Sequence, residues 1–510
     1  MTSLDDALSG LAKSAAVVLL GTVLGRILSL LGQVLIVRSL SPISFGHVAL
    51  AYTVVSMVGG LALLGIHEGV TRLMSGDRAV EYRRRVLRTG YSFVIAGGLL
   101  VAGAIYVLRY RLGTALNDEI LPELLVAFLP YLVIYGFARV TFGALRAHKR
   151  PLAATISRDL VPRIVVITVF LLFAFFGRAF LGAVVYWVAT PALMALLAAY
   201  FLHRELSIER VVTRLPDREI ITELWTFSWP LALGSSFFLL LSNVDILMIG
   251  YFMDPRSVGL YRAIQPLRQI TTFVLASFTF LFLPLATEYY SKGEFDTLDR
   301  FYTISTKWVV TATFPPVLVF TLFAPDVVRV FFSADYVPAA PALAVLTAGL
   351  FLRAVVGLNG DMAKAIDQPK IELYAVAVAV AVNVALNIVL IPRYGLVGAA
   401  AGTVIGYGVY NVLEVAAIYW LVESHPFSAD SAKPLLPTLL VALGIKHLIG
   451  SLDLSLLSLL GVGVVISVVH LVSMFVTRSL GSEDLLMFER LEEQAGVDLG
   501  WLKTLLRKYY

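Results

Sequence analysis

Between Leu454 and Val476 the chain runs 23 residues without an aspartate, glutamate, lysine or arginine, and comparable runs recur from end to end. About 20 such residues in a helix cross the roughly 30 Å hydrocarbon layer of a bilayer. No soluble core could hide so many. In lipid every backbone N–H and C=O must be bonded internally, which leaves helices or closed barrels. Barrel strands alternate apolar and polar residues in short segments, and these runs do not. Composition agrees, with 59% hydrophobic and 15% charged residues and a mean hydropathy of +0.85. The expected fold is an all-α polytopic membrane protein of about fourteen transmembrane helices. The spans read as 14–37, 47–67, 87–108, 121–144, 155–176, 179–202, 227–252, 264–287, 306–324, 339–358, 371–391, 396–421, 434–450 and 455–477.

Charge sets an expected orientation. With a cytoplasmic N-terminus and these bounds, cytoplasmic segments hold 23 of the 40 lysines and arginines, outer segments hold eight, and nine, among them Arg26, Arg139 and Arg353, lie within spans. That is the positive-inside pattern. It predicts a multi-pass protein of the cytoplasmic membrane with both termini cytoplasmic. Residues 72–88, RLMSGDRAVEYRRRVLR, are the clearest inner loop, suited to anionic lipid. The N-terminus, MTSLDDALSGLAK, lacks a basic n-region and a small-residue cleavage site, so the first helix is expected to stay as its own insertion signal. The net charge of +5 is spread over short loops and does not point to nucleic acid. There are no cysteines, which excludes disulfides and thiolate chemistry. The amphipathic tail, residues 481–510, is expected on the inner membrane face or against a partner.

The chain also reads as a doubled unit. With an offset of 213, Pro42, Ser44 and Gly46 fall on Pro255, Ser257 and Gly259. Leu145-Arg-Ala-His-Lys-Arg-Pro151 resembles Ala363-Lys-Ala-Ile-Asp-Gln-Pro369, and Arg178-Ala-Phe-Leu-Gly-Ala183 resembles Arg393-Tyr-Gly-Leu-Val-Gly-Ala399 with a one-residue slip. Six spans per copy give like-oriented lobes, a parallel pseudo-two-fold repeat. The expected domains are an N-terminal lobe at 1–210, a C-terminal lobe at 211–425, two extra spans at 426–480 and the tail at 481–510.

Two six-helix lobes, two extra helices, Gly25-Arg26 in span one, LSPISFGHVALA after it and DILMIGYFMDPRSVGLYRA in span seven resemble the Wzx-type flippases for lipid-linked oligosaccharides. Those are relatives of the lipid II flippase MurJ in the multidrug/oligosaccharidyl-lipid/polysaccharide superfamily. The resemblance covers about residues 10–475 and rests on order, spacing and helix count. It implies alternating access around a central arginine-bearing cavity that takes a polyprenyl diphosphate headgroup.

Arg26 lies near the middle of span one, where a guanidinium normally faces protein or a watery cavity. Its planar fork suits bidentate hold on a diphosphate; the alternative is packing against helix carbonyls. Arg262 and Arg268, at the outer start of span eight, either line the same cavity or are outer-loop charges. Arg139 and Arg353 are read as snorkelling. His67, Glu68 and Arg72 close span two, as a cytoplasmic gate, a proton site or a solvated helix end. Asp245 is a carboxylate inside span seven, Asn383 and Asn387 share one face of span eleven, and Thr403 sits on span twelve. Together they form a hard oxygen set suited to Na⁺; the alternative is asparagines bonding between helices. The resemblance implies a Na⁺ site on those spans, with the Ala399 carbonyl added. Asn387 stands where that pattern has a second acid. Glu414 in span twelve is a further proton-site candidate. No cofactor is expected beyond a coupling ion, Na⁺ or H⁺.

No Walker loop occurs, no metal-binding histidine cluster appears and no outer loop could house a transferase site, so the chain is not expected to be an enzyme. The expected function is a flippase, a secondary transporter moving polyprenyl-linked oligosaccharide or polysaccharide units. The expected partners are a polyprenyl-diphosphate- or phosphate-linked glycan, membrane lipids and other glycan-assembly membrane proteins. The alternatives are a cation-coupled drug antiporter, a membrane glycosyltransferase or ligase, and a scaffold. An antiporter should have an acidic first-lobe cavity, and a transferase an acidic outer cluster.

Overall fold

The computed structural model describes residues 2–76, 78–148, 150–206, 217–268, 270–450, 452–481 and 484, without the side chains of 2–20, 151, 270–273, 276–277 and 280–281. The expected amphipathic tail beyond Asp484 lies outside the described residues.

The described chain is helical. In order come α1 Thr2–Ser39, α2 Pro42–Ala62, α3 Ile66–Met74, α4 Val80–Ala115, α5 Leu121–Ala147, α6 Pro151–Thr155, α7 Val161–Phe175 and α8 Ala179–Leu206. Then follow α9 Arg218–Phe252, α10 Pro255–Arg268, α11 Ile270–Lys292, α12 Phe295–Leu322, α13 Ala324–Phe331, α14 Ala340–Val356, α15 Asn359–Ala365 and α16 Lys370–Val422. The last are α17 Ala429–Ala432, α18 Leu435–Ile449 and α19 Leu456–Val476. Local chemistry sets several starts. Ser41 accepts a hydrogen bond from the Ser44 N–H with Pro42 at the first turn of α2, and Asp217 and Ser455 cap α9 and α19 in the same way.

Ten of these stretches are long and apolar enough to cross a membrane, or eleven if the pair α12–α13, bent by 87°, is one span. The chain is a multi-pass membrane protein. The difference from fourteen has a physical cause. Helix α16 has 53 residues, about 80 Å at 1.5 Å per residue, more than twice the hydrocarbon thickness. Its backbone breaks at Gly395 (φ 56°, ψ −132°), a conformation glycine tolerates, so α16 contains the segments read as spans eleven and twelve. The segment read as span five is interrupted by a π turn at Ile156–Leu160, which leaves α7 only 15 residues long.

The helices form two compact units, Met1–Ala263 and Ile264–Tyr510. The first has a core of α3, α4, α5, α8 and α9 built on Ile66, Val70, Leu87, Val140, Leu202 and Leu224. The second packs α11, α12, α15 and α16 around Phe282, Tyr302, Met362 and Ile418. Outward positions stay apolar, with Val107 75% and Phe175 84% exposed, as lipid-facing side chains should be.

Within the first unit the repeated motif meets its copy. A methyl placed on Gly46 of α2 would collide with the Pro255 carbonyl oxygen of α10, and one on Gly259 with the Pro42 carbonyl oxygen. Each glycine thus fits against the other motif's proline. Two equivalent motifs around a two-fold make such a reciprocal contact.

Candidate functional site

In the first unit Gly25 lets α1 close on the π turn: a Cβ there would meet Asp159 Cβ at 2.7 Å and its carbonyl oxygen at 2.9 Å. Asp159 holds Arg158 through two bonds, Nε to Oδ1 at 2.9 Å and Nη2 to Oδ2 at 2.8 Å. Arg26, next along α1, is exposed.

An aromatic cluster gathers between α2, α5 and α8. Tyr52 stacks on Trp187 with centroids 4.8 Å apart and meets Tyr131 edge-on at 5.8 Å, and Tyr131 stacks on Tyr135 at 5.1 Å. The Arg262 guanidinium sits 5.8 Å from the Tyr52 ring centroid, a cation–π contact. Tyr131, Tyr135 and Arg139 follow one another on one face of α5 at four-residue spacing. Arg139 does not snorkel freely: its Nη2 donates to His67 Nε2 at 2.6 Å. A guanidinium cannot accept, so Nε2 is the bare ring nitrogen. Glu68 lies 3.5 Å from His67 and 3.7 Å from Arg146, and Arg72 covers the Phe227 ring at 4.2 Å. His67 and Glu68 therefore join a network with α5, while Arg72 packs on α9.

Asp245 is fully buried in α9. Its Oδ2 accepts from the Tyr261 hydroxyl at 2.8 Å and its Oδ1 from the Ile246 N–H at 2.9 Å. In the second unit Asn387 Nδ2 donates to Asn383 Oδ1 at 3.3 Å, and both residues are fully buried. Asn387 Oδ1 occupies the space a side chain on Gly402 would need, which sets it beside the turn carrying buried Thr403. Arg268 is partly buried, Arg353 covers the Tyr407 ring at 5.0 Å, and Glu414 is fully buried. Among the described residues no three histidine, cysteine, aspartate or glutamate side chains group as a metal site.

Sequence reasoning missed the Tyr261 partner of Asp245, the Arg139–His67 pair and the aromatic cluster. Only the four-residue spacing of Tyr131, Tyr135 and Arg139 signalled any of it in one dimension.

The model of polysaccharide biosynthesis proteins matches residues 11–289, more than half of the 510. The chain belongs to the polysaccharide biosynthesis protein family. A second family, MatE, matches residues 230–389 of this polysaccharide biosynthesis protein. Over 79% of its length it is 22% identical to a probable low-salt glycan biosynthesis flippase, Agl15, of Haloferax volcanii, covering 82% of that protein. It is 24% identical to an uncharacterised membrane protein of Methanocaldococcus jannaschii over 41% of its length, a match that spans only 42% of that relative. Its fold is similar to that of the lipid II flippase MurJ in an inward closed conformation, with a TM-score of 0.73 at 14% identity over 92% of this chain and 99% of that one.

Proposed function

We propose that this protein is a flippase: it carries lipid-linked glycan units from the cytoplasmic to the outer leaflet of the cytoplasmic membrane by alternating access, with both termini cytoplasmic. The observation that carries the reading is the family match over residues 11–289, supported by likeness to a probable glycan flippase over 79% of the chain. The exposed Arg26 and the Arg262–Tyr52 pair of the first unit suit a charged, ring-bearing substrate. In this reading Arg26, Arg262 and Arg268 hold the diphosphate or phosphate of a polyprenyl carrier, as charge-assisted forks do. Such a protein performs transport without catalysis and works beside other glycan-assembly membrane proteins. Coupling to Na⁺ involves Asp245, Asn383, Asn387 and Thr403, and coupling to H⁺ is the alternative. His67, Glu68 and Arg72 serve the cytoplasmic gate.

The MatE match over residues 230–389 favours a second reading, an organic-cation antiporter. One assay separates them. Purified protein in liposomes is given a fluorescent polyprenyl-diphosphate glycan and, separately, a fluorescent organic cation. Protein-dependent exposure of the glycan lipid to an impermeant quencher supports the flippase. Cation uptake without lipid movement overturns it.

A further inference from the structure

The second unit buries a carboxyl group that the glycan site does not use. Glu414, on the later half of α16, is fully buried. Among the described residues the one hydrogen-bond donor that bears on its carboxylate is the Tyr410 hydroxyl, one turn back on the same helix. A single phenol is little compensation for a fully buried ionised acid. Buried ionised carboxylates are paired or bonded, because desolvation otherwise costs several kcal/mol.

The groups around it are polar but not charge-matched at contact distance. On its own face of α16 stand Asn411 and Tyr410, three and four residues back. Asn411 Oδ1 accepts from Asn359 Nδ2 at 3.3 Å, while Asn411 Nδ2 has no partner among the described residues. A Cβ on Gly360 of α15 would lie 3.4 Å from the Tyr410 hydroxyl and 3.9 Å from both Glu414 oxygens, so absence of a side chain there keeps the carboxyl's surroundings open. Tyr302 of α12 faces it too, but gives its hydroxyl hydrogen to the Val356 carbonyl. Arg353 of α14 lies over the Tyr407 ring and acts on Glu414 only through its charge. Lys364, at the end of α15, pairs with Glu372 at 3.2 Å and stands 4.0 Å from Asp361. These side chains grade outward: Glu414 fully buried, Asp361 13%, Glu372 23% and Lys364 42% exposed. A buried acid, a pair of amides, a phenol and a graded row of titratable groups toward the surface make a place where a proton can be held and exchanged.

We propose that Glu414 is an exchangeable proton site of the second unit, with Tyr410, Asn411 and Asn359 around it and Asp361, Glu372 and Lys364 as its path to water. The carboxylate takes a proton from water along that path on one side and, once the protein has turned to its other access state, releases it to the opposite side, so no charge is left buried while the proton is on. The site would couple glycan movement to a pH gradient. It rests on the flippase reading only for that last step.

Two measurements test it. The first needs no glycan: infrared difference spectra of the full-length protein in liposomes across a pH titration. The wild type should show a protonated-carboxyl carbonyl band that falls as pH rises. Glu414→Gln, nearly isosteric and uncharged, should lack it, and Glu372→Gln should keep it with an altered exchange rate. A band that survives in Glu414→Gln, or a Glu414 carboxylate that titrates only with added Na⁺, overturns the proposal. The second measures flipping under an imposed pH gradient. The wild-type rate should respond, and the rate in Glu414→Gln should lose the response. An equal response in both overturns the coupling. Wild-type protein that moves no glycan defeats the flippase reading and leaves the infrared result to decide the proton site.

Discussion

Arg26, Asp245 and Glu414 stand out in one dimension because each places a charge in an apolar run, where charge is costly. We predict that Arg26→Ala reaches the membrane at wild-type levels but binds the phosphate headgroup about tenfold to a hundredfold more weakly, the equivalent of roughly 1.5–3 kcal/mol for a charge-assisted contact. Arg26→Lys should recover part of that, since a point charge lacks the fork. Titrating detergent-solubilised protein with a short-chain polyprenyl diphosphate measures both. What surrounds these charges was not readable. Tyr261 lies sixteen residues from Asp245, in the short segment read as lying between spans seven and eight, and a loop tyrosine signals nothing until the fold brings it onto a carboxylate. Tyr261→Phe should cost about 1.5–3 kcal/mol, the worth of a hydrogen bond to a charged group. In the Asp245→Asn background the same change should cost much less, and a double-mutant cycle in thermal melts reads the difference.

At the scale of elements, hydrophobicity is local, so the helical segments could be read from sequence. The break at Gly395, the π turn at Ile156–Leu160 and the 87° bend after α12 could not, because packing decides them. The glycines at the α2–α10 crossing are an exception: the repeat singles out Gly46 and Gly259 in the sequence itself. Each faces a carbonyl that cannot retreat without moving its helix. Gly46→Ala and Gly259→Ala should each destabilise by about 1–3 kcal/mol through overpacking. Because both act on one crossing, the double variant should cost less than the sum in thermal melts. The second unit has a different fastening. Lys307 of α12 donates to Asp484 Oδ2 at 2.6 Å and Trp308 to its Oδ1 at 2.9 Å, with the acid side chain fully buried. Asp484→Asn alone should cost about 3–5 kcal/mol by leaving the lysine uncompensated. Lys307→Met with Asp484→Leu should recover most of it in the same melts, which a surface ion pair would not do.

For the molecule as a whole, the direction of transport depends on which way the chain lies in the membrane. The charge distribution is the one clue to it: cytoplasmic segments, as read, hold 23 basic residues against eight in the outer ones. Basic loops are retained on that side because translocating them against the membrane potential is costly. The argument is strongest at residues 72–88, where five arginines from Arg78 to Arg88 crowd one loop and the start of α4. Asp217, which precedes α9, ties into this basic region. Burial works against its ionisation, but the hydrogen bond from Arg85 and the Glu219 N–H outweigh that and hold its carboxyl below the usual range. A depressed carboxylate contributes above its unfolded value and fades as pH falls through the folded one, so this fastening should be intact at neutral pH and weaken in acid. The absence of cysteine gives a clean test of orientation. Ser75 and Glu119 are both exposed, at opposite ends of α4, so each accepts a cysteine without disturbing a core. An impermeant maleimide added outside intact cells should label Glu119→Cys and spare Ser75→Cys, and permeabilised cells should label both. The reverse pattern would put Arg72–Arg88 outside, and would turn the proposed flippase to face the wrong leaflet for a glycan built in the cytoplasm.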